Sequence, residues 1–210
     1  PEERPSYRLA VTKYITHDAY VDTEDDARRA QQRHLVQRGY DQISLAYRSD
    51  DGGAHVSSAE DIRRYAGWIA ELTGLLPVRA QVADLGCGAG VPATRELAGH
   101  GLRVVGVDFS AVQLNRARRL VTGAAFVQAD IAALFPRIRG WLRPGGFGLA
   151  IVGAQQWTGT DNYLGAGMFW DHADTSTYLR WLQAAQLHPL WNRFIPEGDS
   201  GHSLILAQAS

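Results

Sequence analysis

The run Val82-Ala83-Asp84-Leu85-Gly86-Cys87-Gly88-Ala89-Gly90 constrains this chain more than any other stretch. A short apolar segment ends in an acid, passes through glycines at alternate positions and leads into a helix-forming segment near Val91. Glycine admits backbone angles that other residues avoid, and it lets a ligand come close to the main chain. A helix that opens there presents unpaired N–H groups and the positive end of its dipole to the loop. The combination predicts a nucleotide-type pocket at the carboxyl end of a strand. A dinucleotide fingerprint, Gly-x-Gly-x-x-Gly, needs its third glycine at position 91. This chain has valine there, and Gly90 comes one residue early.

The following segments repeat the pattern. Leu102–Asp108 is a second apolar run ending in an acid, and Asp108 stands 22 residues after Gly86. That is near the spacing of about 20 at which a carboxylate meets ribose hydroxyls. Ala125–Asp130 is a third such run, and Leu142-Arg143-Pro144-Gly145-Gly146 precedes the apolar stretch Phe147–Gly153. In this order, Asp84-x-Gly86-x-Gly88-x-Gly90, the strand-end acids and the Leu-x-Pro-Gly-Gly step resemble the class I S-adenosylmethionine-dependent methyltransferase family, small-molecule type. The resemblance runs from about Tyr40 to the C-terminus.

The resemblance implies an α/β fold: a Rossmann-like, doubly wound α-β-α sandwich. Its sheet is mostly parallel with an antiparallel last strand, and N-terminal helices form a lid. It implies S-adenosylmethionine as cofactor, S-adenosylhomocysteine as product, and in-line methyl transfer to oxygen, nitrogen or carbon of a small organic molecule. By the same resemblance Asp84 and the backbone of Gly86, Gly88 and Gly90 hold the amino-acid end of the cofactor. Asp108 holds the ribose, Phe109 packs on the adenine, and Asp130 with the Ile131 backbone meets the adenine amine. Tyr40-Asp41 and Tyr47, seven apart on one helix face, resemble a helix that closes over the methionine end; two packed aromatics fit equally well. Cys87 is read as a small spacer in the turn, not a nucleophile.

At the acceptor side, alignment and desolvation carry most of a methyl transfer, with a base added in some cases. Ligands in such sheets bind at the carboxyl ends of the strands. His172 follows an aromatic segment that leaves the carboxyl end of strand 147–153, and His202 opens the last strand. Both are candidate catalytic bases, since histidine titrates near neutrality; a hydrogen-bonded loop histidine is the rival reading of each. Trp157, Tyr163, Met168, Phe169 and Trp170 are candidate substrate-lining residues, the rival being a hydrophobic cover over the sheet. His100 is read as structural.

The 210 residues suit one compact unit, divided here into an N-terminal arm and lid helix (1–57) and a cofactor-binding domain (58–210). Within the arm, a helix is expected from Asp22 to about Tyr47, with Gly39 as a break. A formal net charge of −1 gives no reason to expect nucleic acid or an anionic membrane as partner. The single cysteine rules out an internal disulfide, and a cytoplasmic location is expected. No metal is expected. The partner is a small-molecule substrate, and a homodimer is left open.

One feature departs from the family. Only 13 residues separate Asp130 from Pro144, and they hold one helix, about Ala133 to Trp141. The family places a further strand there, central in the sheet beside the first, and a βαβ unit takes roughly 30 residues. The expected explanation is residues omitted near Ala132–Phe135; the other is a true deletion or divergent topology. An empty slot would leave unpaired backbone groups inside the sheet. Three functional rivals remain: the same fold with a non-methylating reaction such as cyclisation, a non-catalytic cofactor-binding subunit, and a nicotinamide-dependent oxidoreductase.

Overall fold

A computed structural model describes residues 7–12, 23–51, 59–130, 137–197 and 200–210. In chain order the elements are β1 (Tyr7–Thr12), α1 (Thr23–Tyr47), α2 (Ala59–Thr73), β2 (Gln81–Leu85), α3 (Ala93–Gly99), β3 (Arg103–Asp108), α4 (Ala111–Leu120) and β4 (Ala124–Gln128). Then come α5 (Ile138–Trp141), β5 (Leu142–Gly153), β6 (Trp157–Tyr163), β7 (Ala166–His172), α6 (Thr175–Ala184), β8 (Leu187–Glu197) and β9 (Ser200–Ala209). Local chemistry sets several of these ends. The Ser110 side chain accepts the Gln113 N–H at 3.0 Å and opens α4. Asp174 does the same for α6 through the Thr177 N–H at 2.7 Å. Both are N-caps that satisfy a first-turn donor.

Seven strands form one sheet in the order β4-β3-β2-β1-β5-β9-β8. β4, β3, β2, β1 and β5 run parallel, and β9 is antiparallel to both β5 and β8. The alternation of side chains assigns the two faces. Ala83, Leu85, Ala150, Val152, Ile205 and Ala207 pack with Tyr178 and Leu182 of α6 and Ile138 of α5. Val82, Leu149, Leu204 and Leu206 face the other way, onto Ile69 and Leu72 of α2 and Leu97 of α3. This is the expected mixed α/β sandwich with an antiparallel last strand.

The slot beside the glycine-loop strand is not empty. β1, from the N-terminal segment read above as an arm, lies between β2 and β5 and is parallel to both. Leu9–Thr12 stand in register with Val82–Leu85 on one side and with Phe147–Ala150 on the other. The topology is therefore the divergent alternative, and the 57/58 boundary does not separate two units, because residues 7–12 are central to the sheet. A strand in that slot satisfies the N–H and C=O rows that β2 and β5 would otherwise bury unpaired. The segment near Ala132–Phe135, and Ile131, lie outside the described residues.

Two smaller expectations are corrected. α1 is continuous through Gly39. The missing side chain is used for packing, since the Met168 sulfur occupies the space where a Cβ would stand. The Leu142–Gly146 step is not a turn ahead of the strand but its first part. The pairing jumps from Tyr7↔Leu142 to Leu9↔Phe147, so the Pro-Gly-Gly residues form an irregularity inside β5.

Candidate active site

The glycine turn has the predicted strand-to-helix shape. Gly86, Gly88 and Gly90 have φ of 76°, 55° and 76°, a region that side chains disfavour. Their N–H groups are committed inside the protein. Gly86 donates to the Val107 carbonyl at 2.8 Å, Gly90 to the Cys87 carbonyl at 2.9 Å, and Gly88 to Asp108 Oδ2 at 2.9 Å. The loop therefore provides shape and close approach more than it provides donors at these three positions. Cys87 is buried, and burial pushes its thiol well above the ordinary range, with Asp84 and Asp108 adding to the effect. A buried thiol held neutral is a poor nucleophile.

Two buried carboxylates flank the turn. Asp84 ends β2 and accepts the Thr94 hydroxyl of α3 at 2.5 Å. Asp108 ends β3 and accepts the Gly88 N–H on one oxygen and the Ser110 N–H, at 2.8 Å, on the other. Burial raises the Asp108 carboxyl above its ordinary pKa, opposed by these backbone donors; the nearby Asp41 raises it slightly further. A carboxylate has about four acceptor positions, so both oxygens retain capacity for a pair of hydroxyls. Phe109 is half-buried, and its carbonyl accepts the amides of Gln37 at 2.9 Å and Gln128 at 3.0 Å. Asp130 lies just past β4, partly exposed, with Arg33 Nε 3.4 Å away.

A pocket opens at the carboxyl end of β2. It is lined by Asp84, Leu85, the Gly86–Ala89 turn, Val91–Ala93, Ile151, Tyr65 and the last residues of α1 and beyond, Tyr47 and Arg48. Arg48 was not foreseen. It is a buried cation whose guanidinium lies 5.5 Å from the Tyr47 ring and 5.9 Å from the Tyr65 ring. Sequence offers only one hint, an arginine directly after the aromatic that ends a helix.

Polar contacts that sequence reasoning also missed tie α1 to α4 beside the pocket. Asp41 accepts the Ser110 hydroxyl, and the Ser44 hydroxyl donates to Gln113 Oε1 at 2.9 Å. Arg116 of α4 is buried and reaches the Ser44 carbonyl at 2.7 Å, the Arg48 carbonyl at 2.7 Å and Asp50 Oδ1 at 2.6 Å. Helical spacing placed these groups on α1 and α4, but nothing in either segment alone pairs them. Tyr40 and Tyr47 pack edge to face, 5.1 Å apart; this is the packed-aromatic reading, and Tyr47 in addition lines the pocket.

The aromatic segment folds back as the hairpin β6–β7 and packs on α1. Its register places Trp157, Tyr163, Met168, Trp170 and His172 on one face. Tyr163 stands 6.3 Å from Tyr47 and 5.7 Å from Trp170. Trp170 and Trp157 stand 5.9 Å and 6.4 Å from His172. Two lining expectations are corrected. Phe169 is on the opposite face, because side chains alternate along a strand. Met168 is buried against Ile43 and Gly39 of α1, as packing. His100 follows α3, exposed, at the opposite end from the pocket.

His172 and His202 are brought together. His202 is paired with Gly153 at the carboxyl end of β5, and a Cβ on Gly153 would meet His172 Cβ at 2.7 Å. Burial lowers the His172 pKa below its ordinary value and the neighbouring His202 lowers it further, with Asp171 opposing. No cluster of three or more metal-ligating side chains occurs among the described residues. No helix among them is long and apolar enough to cross a membrane.

Comparisons with known proteins match this geometry. The profile of a family described as a methyltransferase domain matches residues 82–137. A trans-aconitate 2-methyltransferase of Paracidovorax citrulli is 48% identical over 71 residues, 32% of this chain and 27% of that protein. Residues 82–137 thus match a methyltransferase domain. The matched stretch spans about a quarter of the length of that curated relative.

Solved structures extend the likeness of fold across most of the chain. A 1,6-didemethyltoxoflavin-N1-methyltransferase of Burkholderia thailandensis has a TM-score of 0.61 at 15% identity, covering 93% of this chain and 94% of its own. A magnesium protoporphyrin IX methyltransferase of Synechocystis has a TM-score of 0.62 at 13% identity, covering 87% and 99%. The cyclase SpnF has a TM-score of 0.60 at 18% identity, covering 82% and 94%.

Proposed function

We propose that this protein transfers a methyl group from S-adenosylmethionine to a small organic acceptor. The observation that carries the reading is the pair of buried carboxylates, Asp84 and Asp108, on either side of a glycine turn whose pocket also holds the Arg48 cation. That donor and acceptor set fits the group. A zwitterionic amino-acid end needs an anion and a cation, here Asp84 and Arg48. A ribose diol needs one carboxylate with free acceptor capacity, here Asp108. Gly86 and Gly88 line the pocket and leave room for the ligand beside the main chain, while Gly90 lets the turn pack on Val121, Ala117 and Phe126. Phe109 packs on the adenine, and Asp130 with Ile131 serves its amine. When bound, the cofactor supplies an activated methyl group; the chain orients it and excludes water.

In this reading α1 is the lid. Gln37, Asp41 and Ser44 fix it to the Phe109–Gln113 segment, and Arg116 fixes its end, which carries Tyr47 and Arg48 into the pocket. Trp157, Tyr163 and Trp170 wall the acceptor side. The likeness of the fold to a cyclase supports a second reading, in which the cofactor is bound but no methyl group is transferred.

Calorimetric titration with S-adenosylhomocysteine, with NADH as control, tests the cofactor. Micromolar binding of the first alone is expected, and binding of NADH alone would overturn the assignment. Incubation with methyl-labelled S-adenosylmethionine and an acceptor panel separates the two readings. Label in the product means transfer, and an isomerised acceptor without label means the cyclase-like role.

A further inference from the structure

We propose that His172 and His202 work as one imidazole pair that takes the proton of a phenolic or enolic hydroxyl on the methyl acceptor. The proposal rests on the methyl-transfer reading and names its substrate class. Its basis is strand geometry. Gly153 and His202 are directly opposed in the antiparallel pair β5–β9. Opposed residues project to the same face, with Cβ positions about 5 Å apart. The position of the absent Gly153 Cβ lies 2.7 Å from His172 Cβ, 2.9 Å from its Cγ and 3.1 Å from its Nδ1. The His172 ring therefore lies over Gly153 beside the stem of His202, and glycine at 153 leaves the space for it.

The same parity connects the pair to the pocket. Ile151 lines the pocket, and Gly153 is the next residue of β5 on that face. Two residues of strand advance about 7 Å, so the pair stands just beyond the pocket wall, at the carboxyl end where ligands of such sheets sit. Trp157 and Trp170 flank His172 with tilted or edge-on rings, walls suited to a flat aromatic acceptor.

Among the described residues, the charged and titratable groups near the pair come from β7, α6 and β9. Asp171 adjoins His172 on β7 and projects to the other face of the hairpin, where it accepts the Thr158 hydroxyl at 2.7 Å. From α6, Tyr178 accepts the Ala173 N–H through its hydroxyl, and Asp174 is committed to the helix cap. His202 comes from β9. Burial and the second imidazole lower the His172 pKa, so the ring is neutral at pH 7 and its nitrogen lone pair is available to a hydroxyl proton. Such a base suits a hydroxyl of pKa about 10, as in a phenol, far better than an aliphatic alcohol. In the step the acceptor oxygen bonds to the methyl carbon as the carbon–sulfur bond breaks. The sulfur keeps the electron pair, and the hydroxyl proton passes to an imidazole nitrogen.

The test uses the full chain with S-adenosylhomocysteine and histidine-labelled NMR, in wild type, His172→Gln, His202→Gln and the double variant, with His188→Gln as control. Binding of S-adenosylhomocysteine is measured first, and its absence in the wild type would overturn the cofactor reading. With it bound, His202→Gln is expected to raise the His172 midpoint, since the second imidazole lowers it. An unmoved midpoint would overturn the pair alone. Added 4-nitrophenol, below its own midpoint, is expected to bind the wild-type complex as the yellow phenolate. The double variant should bind it at least tenfold more weakly while keeping its cofactor affinity and melting temperature. No binding to wild type, binding as the neutral phenol, or equal binding to both proteins would overturn the substrate class.

Discussion

Arg116→Gln should detach the end of α1 from the body of the protein. The buried guanidinium donates to two main-chain carbonyls, Ser44 and Arg48, each at 2.7 Å, and to Asp50 at 2.6 Å. A hydrogen bond from a charged donor is worth about 1.5–3 kcal/mol. The lower end of that range for the two carbonyls gives about 3 kcal/mol. The Asp50 side chain is 57% exposed, so water screens that contact and it adds at most about 0.5 kcal/mol. For a chain of this length about 3 kcal/mol corresponds to a fall in Tm of about 6–12 °C. Glutamine offers one short, neutral donor group and cannot reach all four acceptors, the Ser44 hydroxyl included, so it should not rescue the loss. Arg118→Gln on the exposed side of the same helix is the control and should shift Tm by less than about 2 °C. Scanning calorimetry with and without S-adenosylhomocysteine reads both effects. Because Arg116 holds the Arg48 main chain, the stabilisation by ligand should shrink along with Tm. A fall of less than about 2 °C with full ligand stabilisation would refute this account of what holds the lid.

Other expectations follow from single contacts. Asp108→Ala removes the carboxylate that bridges the Gly88 and Ser110 N–H groups, and calorimetry should show S-adenosylhomocysteine bound at least about tenfold more weakly; unchanged affinity would remove the ribose assignment. Thr94→Val deletes the hydroxyl that anchors Asp84 at 2.5 Å and should cost about 1–3 kcal/mol in urea titration, because the buried carboxylate loses a donor. Gly153→Ala drives a methyl group to 2.7 Å from His172 Cβ; overpacking of about 1–3 kcal/mol is expected, with a changed His172 titration by NMR. The pH dependence of stability has a definite sign. His172 has a lowered pKa when folded, so on acidification below the ordinary histidine value the unfolded chain takes up the proton first and the fold loses stability. His172→Gln should lose less stability than wild type between pH 7 and the acid limb; equal losses in urea titrations at each pH would contradict this.

Much of the geometry of the glycine turn and its flanking carboxylates was legible because its signals are local. Asp84, the three glycines, Asp108 and the Ser110 cap each sit at the junction of a strand and a helix, where neighbouring residues alone set the backbone. Arg48 and Thr94 were not legible, since each meets its partner only when two distant elements pack. The same holds for Arg116, whose contacts lie 66 to 72 residues away.

Sequence alone therefore determined the α/β alternation and the strand-end acids, because spacing and periodicity along the chain encode them, and the family resemblance pointed to the antiparallel last strand. Tertiary structure alone decided which segment fills the centre of the sheet. The chain lacks an obvious strand after Asp130, and β1 takes the place beside β2 from the other end of the sequence. Strand pairing satisfies backbone groups whatever their distance in sequence, so no local pattern announces it. For the same reason the meeting of His172, His202 and Gly153 follows from the register of β5 with β9 and the packing of the hairpin, not from any motif.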